Sequence, residues 1–241
     1  LHLSIRRQRQ MCIRDRPGVD DGAKDLEESI ELLKMMRQQG ITHVLATPHF
    51  YASSDGLDEY RARVGYAFGQ LKAAADSASL PYVMLGCEVL YYSCIGRSES
   101  VYNFCLNGSD YLLLELSDNC IDDEFFKDIE DLRRNLGITP IIAHLERYHK
   151  FPNYKKLLKF LAENEIPAQI NASSLFSREY SKTVNKLIKK QLVDFIGTDA
   201  HSVAQRPPMM QPALEAIKKR FGAEYSDEFI SNSQKLLERI G

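Results

Sequence analysis

The chain lacks the segments by which proteins enter or span a membrane. Its 241 residues contain no apolar run of eighteen residues, and no charged stretch followed by an apolar core opens the sequence. A membrane-spanning helix needs about 20 apolar residues, and a secretory signal needs an apolar core behind a basic start. The sequence therefore predicts no membrane insertion and a cytoplasmic location.

The cysteines exclude two kinds of site. There are five, an odd number, and no two of them form a Cys-x-x-Cys pair, which argues against a disulfide framework and a thiolate zinc site. A cysteine phosphatase also needs an arginine six positions after its nucleophile, so that one loop can cradle the phosphate. The residues at that position are Gly18, Ser93, Ser100, Tyr111 and Phe126. Phosphatase chemistry in this chain would therefore have to use metal ions.

The chain also lacks the positive charge of a nucleic-acid-binding protein, since its net charge is −2. Residues 1–16 differ from the rest: five arginines against one aspartate give them a net charge of +4, which leaves −6 on the remainder. They show no helical or strand period, and the pattern changes abruptly at Pro17. We interpret residues 1–16 as an atypical, non-native leader and residues 17–241 as one domain. A basic arm for an anionic partner is the alternative.

From Pro17 onward, short apolar strands alternate with amphipathic helices, and Asp25 with Glu28 resembles a capping box at the start of the first helix. The predicted strands cover 42–47, 81–85, 111–116, 139–144, 166–171 and 193–197, and the predicted helices cover 26–39, 57–79, 122–136, 153–164, 178–190, 210–221 and 226–239. This alternation predicts an α/β fold with a mostly parallel sheet. Six strands, with a seventh replaced or damaged near the start, favour a seven-stranded (β/α) barrel. An open doubly wound sheet is the alternative, weakened by the lack of a glycine-rich phosphate loop.

Residues able to bind a cation stand at the ends of five predicted strands. They are His49, Glu88, Glu115, His144, and Asp199 with His201 two positions later. The carboxyl ends of the strands form the active-site face of an α/β barrel, so we expect these side chains to converge. Nitrogen and oxygen ligands without sulfur suit Mn, Fe, Zn or Mg. Carboxylates can also bridge two ions that polarise a phosphoryl oxygen and generate hydroxide.

Two arginines, Arg147 and Arg206, follow these strand ends and are placed to contact phosphate oxygens in a bidentate manner. Each candidate taken alone has a simpler explanation. A histidine after a strand, such as His49, is more often a hydrogen-bonded structural residue, and Glu115 is compatible with an edge charge paired with a lysine. The coincidence of several such residues at strand ends is what favours a metal site.

Several segments resemble the PHP superfamily (polymerase and histidinol phosphatase), and most closely its CpsB/YwqE-type protein-tyrosine phosphatases of bacterial capsule and exopolysaccharide systems. They are PGVDDGAKDLEESIELLKMMRQQGI, ATPH, GCEVLYY, LLLELS, ITPIIAHLERY, QINASS and GTDAHSVAQRPP, in order from Pro17 essentially to the C-terminus. The resemblance implies a distorted (β/α) barrel of the PHP type that holds up to three divalent ions, often manganese.

Position by position, the resemblance also implies seven metal ligands and two arginines that bind the phosphoryl group. The matching ligands are Asp21, His49, Glu88, Glu115, His144, Asp199 and His201, with Glu88 as the bridging carboxylate, and the matching arginines are Arg147 and Arg206. The implied reaction is attack of a metal-activated hydroxide on phosphotyrosine. The implied partner is the tyrosine-rich tail of a bacterial tyrosine kinase that controls polysaccharide export.

The chain departs from this family at its first strand. The family carries a His-x-His motif before VDDG, and the spacing places that motif at positions 12 and 14, where this chain has Cys12 and Arg14. We hypothesise that residues 1–16 are a sequencing or assembly artefact that replaces the native strand. Two alternatives stay open: a small-molecule phosphatase of the histidinol-phosphate type, and an inactive, metal-binding regulatory barrel. The sequence leaves the preferred metal and the oligomeric state open.

Overall fold

The structure is a computed structural model that describes residues 8–13, 22–77 and 79–241. Its strands are β1 (Gln8–Ile13), β2 (Ile41–Ala46), β3 (His49–Phe50), β4 (Tyr82–Leu85), β5 (Glu88–Leu90), β6 (Tyr111–Glu115), β7 (Thr139–Ile142), β8 (Gln169–Asn171) and β9 (Phe195–Ala200). Its α-helices are α1 (Leu26–Gln38), α2 (Leu57–Ser77), α3 (Asp123–Asn135), α4 (Tyr154–Glu163), α5 (Ser181–Lys189), α6 (Met210–Phe221) and α7 (Ala223–Ile240). The expected α/β class is confirmed. Among these helices, none has both the length and the apolar character needed to cross a lipid bilayer.

The first helix begins where the sequence indicated. The Asp25 side chain accepts a 2.8 Å hydrogen bond from the Glu28 backbone N–H, and Glu28 in turn accepts a 3.1 Å bond from the Lys24 N–H. These contacts satisfy backbone donors that the first helical turn leaves open. The helix ends before Gly40, which has a φ of +81° that favours glycine. Local sequence therefore sets both ends of α1.

Strand β1 lies in the segment that showed no strand period. It pairs in parallel with β2 and β9 and occupies the middle of a five-stranded sheet of order β4-β2-β1-β9-β8. Its register shifts between Gln10 and Ile13 against β2, and between Met11 and Ile13 against β9. Strand β1 thus lies where the sequence analysis expected the seventh strand, replaced or damaged. Its hydrogen-bond ladders with β2 and β9 are both irregular.

Two strands are interrupted and continue in a second sheet. Strand β2 continues as β3 after Thr47 and Pro48, and β4 continues as β5 after a step of the same length. The second sheet has the order β3-β5-β6-β7, and a parallel bridge from Ile142 to Ala168 links β7 to the segment before β8. The order of parallel pairs therefore returns through β8 and β9 to β1. This circuit supports closure with seven strands, a count that stays a prediction.

Alternate residues of the strands pack into two apolar clusters. On β6, Leu113 belongs to the smaller cluster, whereas Leu112 and Leu114 belong to the larger one that includes the surrounding helices. We call the smaller set the interior cluster, and it consists of Leu45, Met84, Leu106, Leu113, Ile141, Ala143, Phe195, Leu236, Leu237 and Ile240. Because successive strand residues point to opposite faces, the strand residues of this set lie on the side that the strands enclose.

Helix α7 covers the amino-terminal ends of the strands. Asn232 donates a side-chain hydrogen bond to the Asp194 carbonyl just before β9, and Asn107, a few residues before β6, donates to the Ile240 carbonyl. The last turns of α7 supply three residues of the interior cluster. The opposite, carboxyl ends of the strands are therefore the ends left for a site.

Gly96 lies in a turn that packs against α3 with no room for a side chain. A Cβ at this position would come within 2.5 Å of the Asp128 carbonyl oxygen and 2.7 Å of the Asp131 Cβ. We expect Gly96→Ala to lower the free energy of unfolding by about 1–3 kcal/mol, because the backbone must shift. Urea unfolding measures this. The control Gly69→Ala in α2, where a Cβ meets no atom within 4 Å, should stabilise by up to about 1 kcal/mol. Equal changes in the free energy of unfolding for the two variants would contradict the close packing of Gly96 against α3.

Candidate metal centre

Several candidate ligands continue the interior columns of their strands. His49 lies four residues after Leu45, Glu88 four after Met84, Glu115 two after Leu113 and Asp199 four after Phe195. An even offset along an extended chain keeps a side chain on the same face. Each of these four apolar columns therefore ends in a residue that can bind a cation, at the carboxyl end of its strand.

His144 reaches the same region by a different route. It follows Ala143 of the interior cluster directly, so strict alternation would turn it outward, but its φ of +32° places it in the left-handed region. The Gln169 side chain holds this turn by accepting a 2.9 Å hydrogen bond from the His144 backbone N–H. Asp199 also has a positive φ, of +48°. Such values are uncommon outside glycine, so the backbone is strained at both of these site residues.

His49, Glu88, Glu115 and His144 form one buried group, which we call the carboxylate cluster. Ligand atoms of the first three all lie within 4.8 Å of one another. The His144 Nε2 lies 2.9 Å from one Glu88 oxygen and 3.1 Å from one Glu115 oxygen. The His49 Nε2 lies 3.2 Å from the other Glu115 oxygen and 3.8 Å from Glu88. Two carboxylates thus lie between two imidazoles.

The pKa values within this cluster reflect the contacts between its carboxylates and its imidazoles. Burial alone would lower the pKa of His144, but hydrogen bonds with Glu115 and Glu88 outweigh burial and raise this pKa to about 9. Burial alone would raise the pKa of Glu115, but hydrogen bonds from His144 and His49 hold it well below its usual range. Buried carboxylates need a compensating positive charge. A divalent cation provides that charge, and this nitrogen and oxygen set suits Mn, Fe, Zn or Mg, so the residues fit a metal.

Tyr148 fixes the ring of His144 from the side away from the carboxylates. Its hydroxyl oxygen lies 3.0 Å from the His144 Nδ1 and accepts a 2.9 Å hydrogen bond from the Leu116 N–H. Tyr148 is buried, so these contacts are shielded from water. A partner on one ring nitrogen fixes the orientation of an imidazole and leaves the other nitrogen for a metal.

Asp199 joins the site to both candidate arginines. One of its carboxylate oxygens accepts a 2.5 Å hydrogen bond from Arg147, a second from Arg206 and a 2.7 Å bond from the Asn171 side chain. The Asp199 side chain is 2% exposed, whereas those of Arg147 and Arg206 are 30% and 38% exposed. The two guanidinium groups therefore stand between a buried carboxylate and solvent, where an incoming anion can reach them.

His201 is oriented by the backbone of the residue it accompanies. Its Nδ1 lies 2.8 Å from the Asp199 carbonyl oxygen. A carbonyl oxygen only accepts hydrogen bonds, so Nδ1 carries the proton, and in the neutral ring Nε2 keeps the lone pair that a metal requires. The His201 N–H donates to the Arg206 carbonyl over 3.0 Å, so one short loop sets both residues.

A buried polar network behind the site was not expected from the sequence. The Asn171 amide, which donates to Asp199, has its own oxygen bonded by Gln169 at 2.9 Å. Glu146 accepts a 3.1 Å bond from the Asn171 N–H and a 2.6 Å bond from the Ser174 hydroxyl, and burial raises the pKa of this carboxyl. Asn171 ends β8, so the strand-end rule that selected the ligands would have selected it too. Gln169 and Glu146 carry no comparable signal.

The structure places most of the expected site residues in two neighbouring groups. His49, Glu88, Glu115 and His144 form the carboxylate cluster, while Asp199, His201, Arg147 and Arg206 form the group around the Asp199 carboxylate. Asp21 and Arg14 lie outside the described residues, and for Cys12 only its place in β1 is described. The set of seven ligands stays a prediction.

The structure is an α/β protein with parallel strands, whose carboxyl ends carry a nitrogen and oxygen cluster that fits a divalent cation beside two partly exposed arginines. The chain belongs to the CpsB/CapC family of capsular polysaccharide synthesis, whose model matches residues 16–238. It is 29% identical to the tyrosine-protein phosphatase CpsB of Streptococcus pneumoniae, over 91% of this chain and 93% of that protein. It is 30% identical to the tyrosine-protein phosphatase YwqE of Bacillus subtilis (strain 168), over 92% and 88%.

Solved structures resemble the chain over nearly its whole length. One from a study of YwqE from Bacillus subtilis and CpsB from Streptococcus pneumoniae, described as metal-dependent tyrosine phosphatases, has a TM-score of 0.85 at 28% identity. It covers 97% of this chain, and the match spans 95% of that structure. A chain of archaeal ribonuclease P has a TM-score of 0.57 at 15% identity, which shows a shared fold alone.

We expect Glu88→Gln to abolish stabilisation by Mn²⁺. An ion that binds only the folded state stabilises it, by about 2.7 kcal/mol at 100 times its dissociation constant. Loss of the central carboxylate charge removes the group that lies closest to His144. Thermal unfolding with and without Mn²⁺ measures the effect. The control Glu238→Gln, exposed on α7, should keep the full rise in Tm. A Glu88→Gln chain that keeps this rise would contradict the assignment.

We expect Tyr148→Phe to cost about 1–3 kcal/mol of stability, because the buried Leu116 N–H loses its acceptor. Mn²⁺ affinity should also fall by about 10-fold, since the His144 ring loses its outer partner. Urea unfolding and titration calorimetry measure the two effects. The matched control is Tyr154→Phe, since the Tyr154 hydroxyl is buried without a hydrogen-bond partner among the described residues. This control should be neutral or stabilising. Unchanged Mn²⁺ affinity in Tyr148→Phe would refute the orienting role.

Proposed function

We propose that the chain is a metal-dependent protein-tyrosine phosphatase. The observation that carries the proposal is the juxtaposition of a buried carboxylate cluster with two partly exposed arginines that meet on Asp199. Relatives with 29–30% identity are named tyrosine-protein phosphatases, and a structure with a TM-score of 0.85 comes from a study of metal-dependent ones. The geometry and the family thus favour the same chemistry.

The metal ligands in this proposal are the residues at the strand ends. They are Asp21, His49, Glu88, Glu115, His144, Asp199 and His201, and they would hold up to three divalent ions, with Mn²⁺ as the expected metal and Fe, Zn or Mg as alternatives. The family resemblance makes Glu88 the bridging carboxylate, and one of its oxygens lies 2.9 Å from the His144 Nε2 and 3.8 Å from the His49 Nε2. Glu115 lies 3.1 Å and 3.2 Å from the same two nitrogens, so both carboxylates would be within reach of a shared ion. A divalent metal centre supplies polarisation of the phosphoryl group and a source of hydroxide near neutral pH.

Arg147 and Arg206 bind the phosphoryl group in this proposal. Each guanidinium has five N–H donors, and the structure shows one donor of each on the same Asp199 oxygen. Both guanidinium groups are partly exposed, so they can also reach phosphoryl oxygens, which carry charge of the same sign as the carboxylate. Asn171 and the loop from His201 to Arg206 hold this arrangement in place. The two arginines therefore neutralise charge that develops on the phosphoryl group.

The proposed substrate is the phosphotyrosine tail of a bacterial tyrosine kinase that controls capsule or exopolysaccharide synthesis. The family description and the names of the relatives support this setting. We place the chain in the cytoplasm, where such a tail would lie, with no insertion into the membrane and no nucleic-acid partner, and we leave an oligomer open.

The hypothesis that residues 1–16 are a non-native leader bears directly on the proposed activity. The family match begins at residue 16, and the ladders of β1 shift register on both sides, which supports a non-native segment at residues 1–16 ahead of a phosphatase domain at 17–241. Without the His-x-His motif, the chain would lack two imidazoles of the family's metal centre. The alternative that follows is a metal-binding regulatory barrel that has lost its activity.

The substrate class is tested by comparing two phosphate esters in the presence of Mn²⁺. We expect a phosphotyrosyl peptide to be hydrolysed with a kcat/KM at least about 10-fold above that for histidinol phosphate. Phosphate release measured with both substrates gives this ratio. A preference for histidinol phosphate would replace the proposal with the small-molecule alternative.

The effect of the leader is tested with the double variant Cys12→His and Arg14→His. We expect the chain with Cys12 and Arg14 to be nearly inactive on a phosphotyrosyl peptide with Mn²⁺. The double variant should gain at least about 10–100-fold, because loss of a residue that merely supports a metal ligand already costs that much. Full activity of the unaltered chain would refute the view that residues 1–16 impair the site. Inactivity of both, with Mn²⁺ bound, would favour the regulatory alternative.

A further inference from the structure

A basic groove between α4 and α5 has no role in the site described above. Its volume is 1220 Å³, above the roughly 300–1,000 Å³ of ordinary small-molecule pockets. Leu158, Leu187 and Leu192 contribute apolar surface to its lining. Five lysines also line it, and they are Lys155, Lys156, Lys159, Lys186 and Lys190. None of the described residues that line it is an aspartate or a glutamate.

This concentration of positive charge runs against the charge of the molecule. The chain as a whole has a net charge of −2, yet the groove gathers five cations. Lys156 pairs with Asp123 at 2.6 Å and Lys159 with Glu163 at 3.6 Å, both through acids outside the lining. Clustered like charges repel one another, so the arrangement favours an anionic partner.

The groove adjoins the proposed active site. The turn Leu145–Lys150 carries Arg147, and His149, two residues later, lines the groove. Helices α4 and α5 follow β7 and β8, so both start on the face where the strands end and run away from it. The ten residues of α4 span about 15 Å, the length of four or five residues of extended chain. A segment that leaves the active site can therefore continue along the groove.

We propose that this groove binds an acidic, extended segment of the phosphotyrosyl protein, adjacent to the phosphotyrosine. The inference rests on the proposed function, because it takes the substrate to be a protein. The lysines attract acidic side chains of the segment, and the leucines accept its apolar or aromatic side chains. Because the lysines are solvent-accessible, the attraction weakens as salt screens it.

The test is binding of a fluorescein-labelled, unphosphorylated peptide of eight alternating glutamates and tyrosines, measured by fluorescence anisotropy. We expect binding that weakens between low and high NaCl and falls by about 10-fold in the double variant Lys186→Glu and Lys190→Glu. The matched control is Lys182→Glu with Lys189→Glu, which changes the same net charge on α5 but lies outside the lining. It should change the affinity by less than about twofold. The neutral pair Lys186→Gln and Lys190→Gln repeats the test if charge reversal disturbs α5.

Two results would contradict the proposal that this groove binds an acidic segment of the phosphotyrosyl protein. Equal loss of binding in both lysine pairs would show attraction by general charge, and tighter binding of hyaluronate than of the peptide would assign the groove to an anionic polysaccharide. Hydrolysis of p-nitrophenyl phosphate with Mn²⁺, in the chain with His-x-His restored, separates this proposal from the proposed function. Peptide binding without hydrolysis would contradict the phosphatase assignment and still support peptide binding by the groove. Hydrolysis without peptide binding would contradict the groove proposal and leave the phosphatase assignment unchanged.

Discussion

Two buried carboxylates, Glu88 and Glu115, lie between the imidazoles of His49 and His144 and constrain everything around them. Charges of the same sign cannot stay together in a dry interior without a cation, whether a proton on His144 or a metal ion. Hydrogen bonds with Glu115 and Glu88 raise the pKa of His144 despite its burial, which reflects the same demand for positive charge. The interior apolar columns, the strained turn at His144 and the buried Tyr148 all hold these four side chains within reach of one another.

The carboxylate of Asp199, at the outer part of the site, also needs a neighbouring positive charge. Asp199 is as buried as Glu88, but its charge is met by Arg147 and Arg206, which remain partly exposed. The site therefore combines an inner part that demands a cation with an outer part that offers cations to an anion. A phosphate ester suits this division, since its anionic oxygens would meet the arginines and a metal centre held by the inner residues would polarise the phosphoryl group. The CpsB/CapC family membership of residues 16–238 fits that reading of the geometry.

Much of this arrangement was predictable from the sequence, for definite physical reasons. The period of two along each strand carries from Leu45 to His49 and from Met84 to Glu88, so side-chain direction follows from counting residues. Counting residues does not predict the direction of the His144 side chain, because its left-handed turn depends on Gln169, which is distant in sequence. The short strands β3 and β5 were missed because each has only two or three residues. Strand β1 could be expected only from the strand count, because its pairing comes from its neighbours in the sheet and its own sequence has no strand period.

Anomalous diffraction at the manganese absorption edge tests the central claim most directly. Crystals of the chain grown with Mn²⁺ would locate the ion independently of any activity. The carboxylate cluster predicts a peak within bonding distance of Glu88 and Glu115, bordered by at least one of His49 and His144. A manganese peak elsewhere on the surface, with the His144–Glu88 contact unchanged, would contradict the assignment of these four residues as a metal centre.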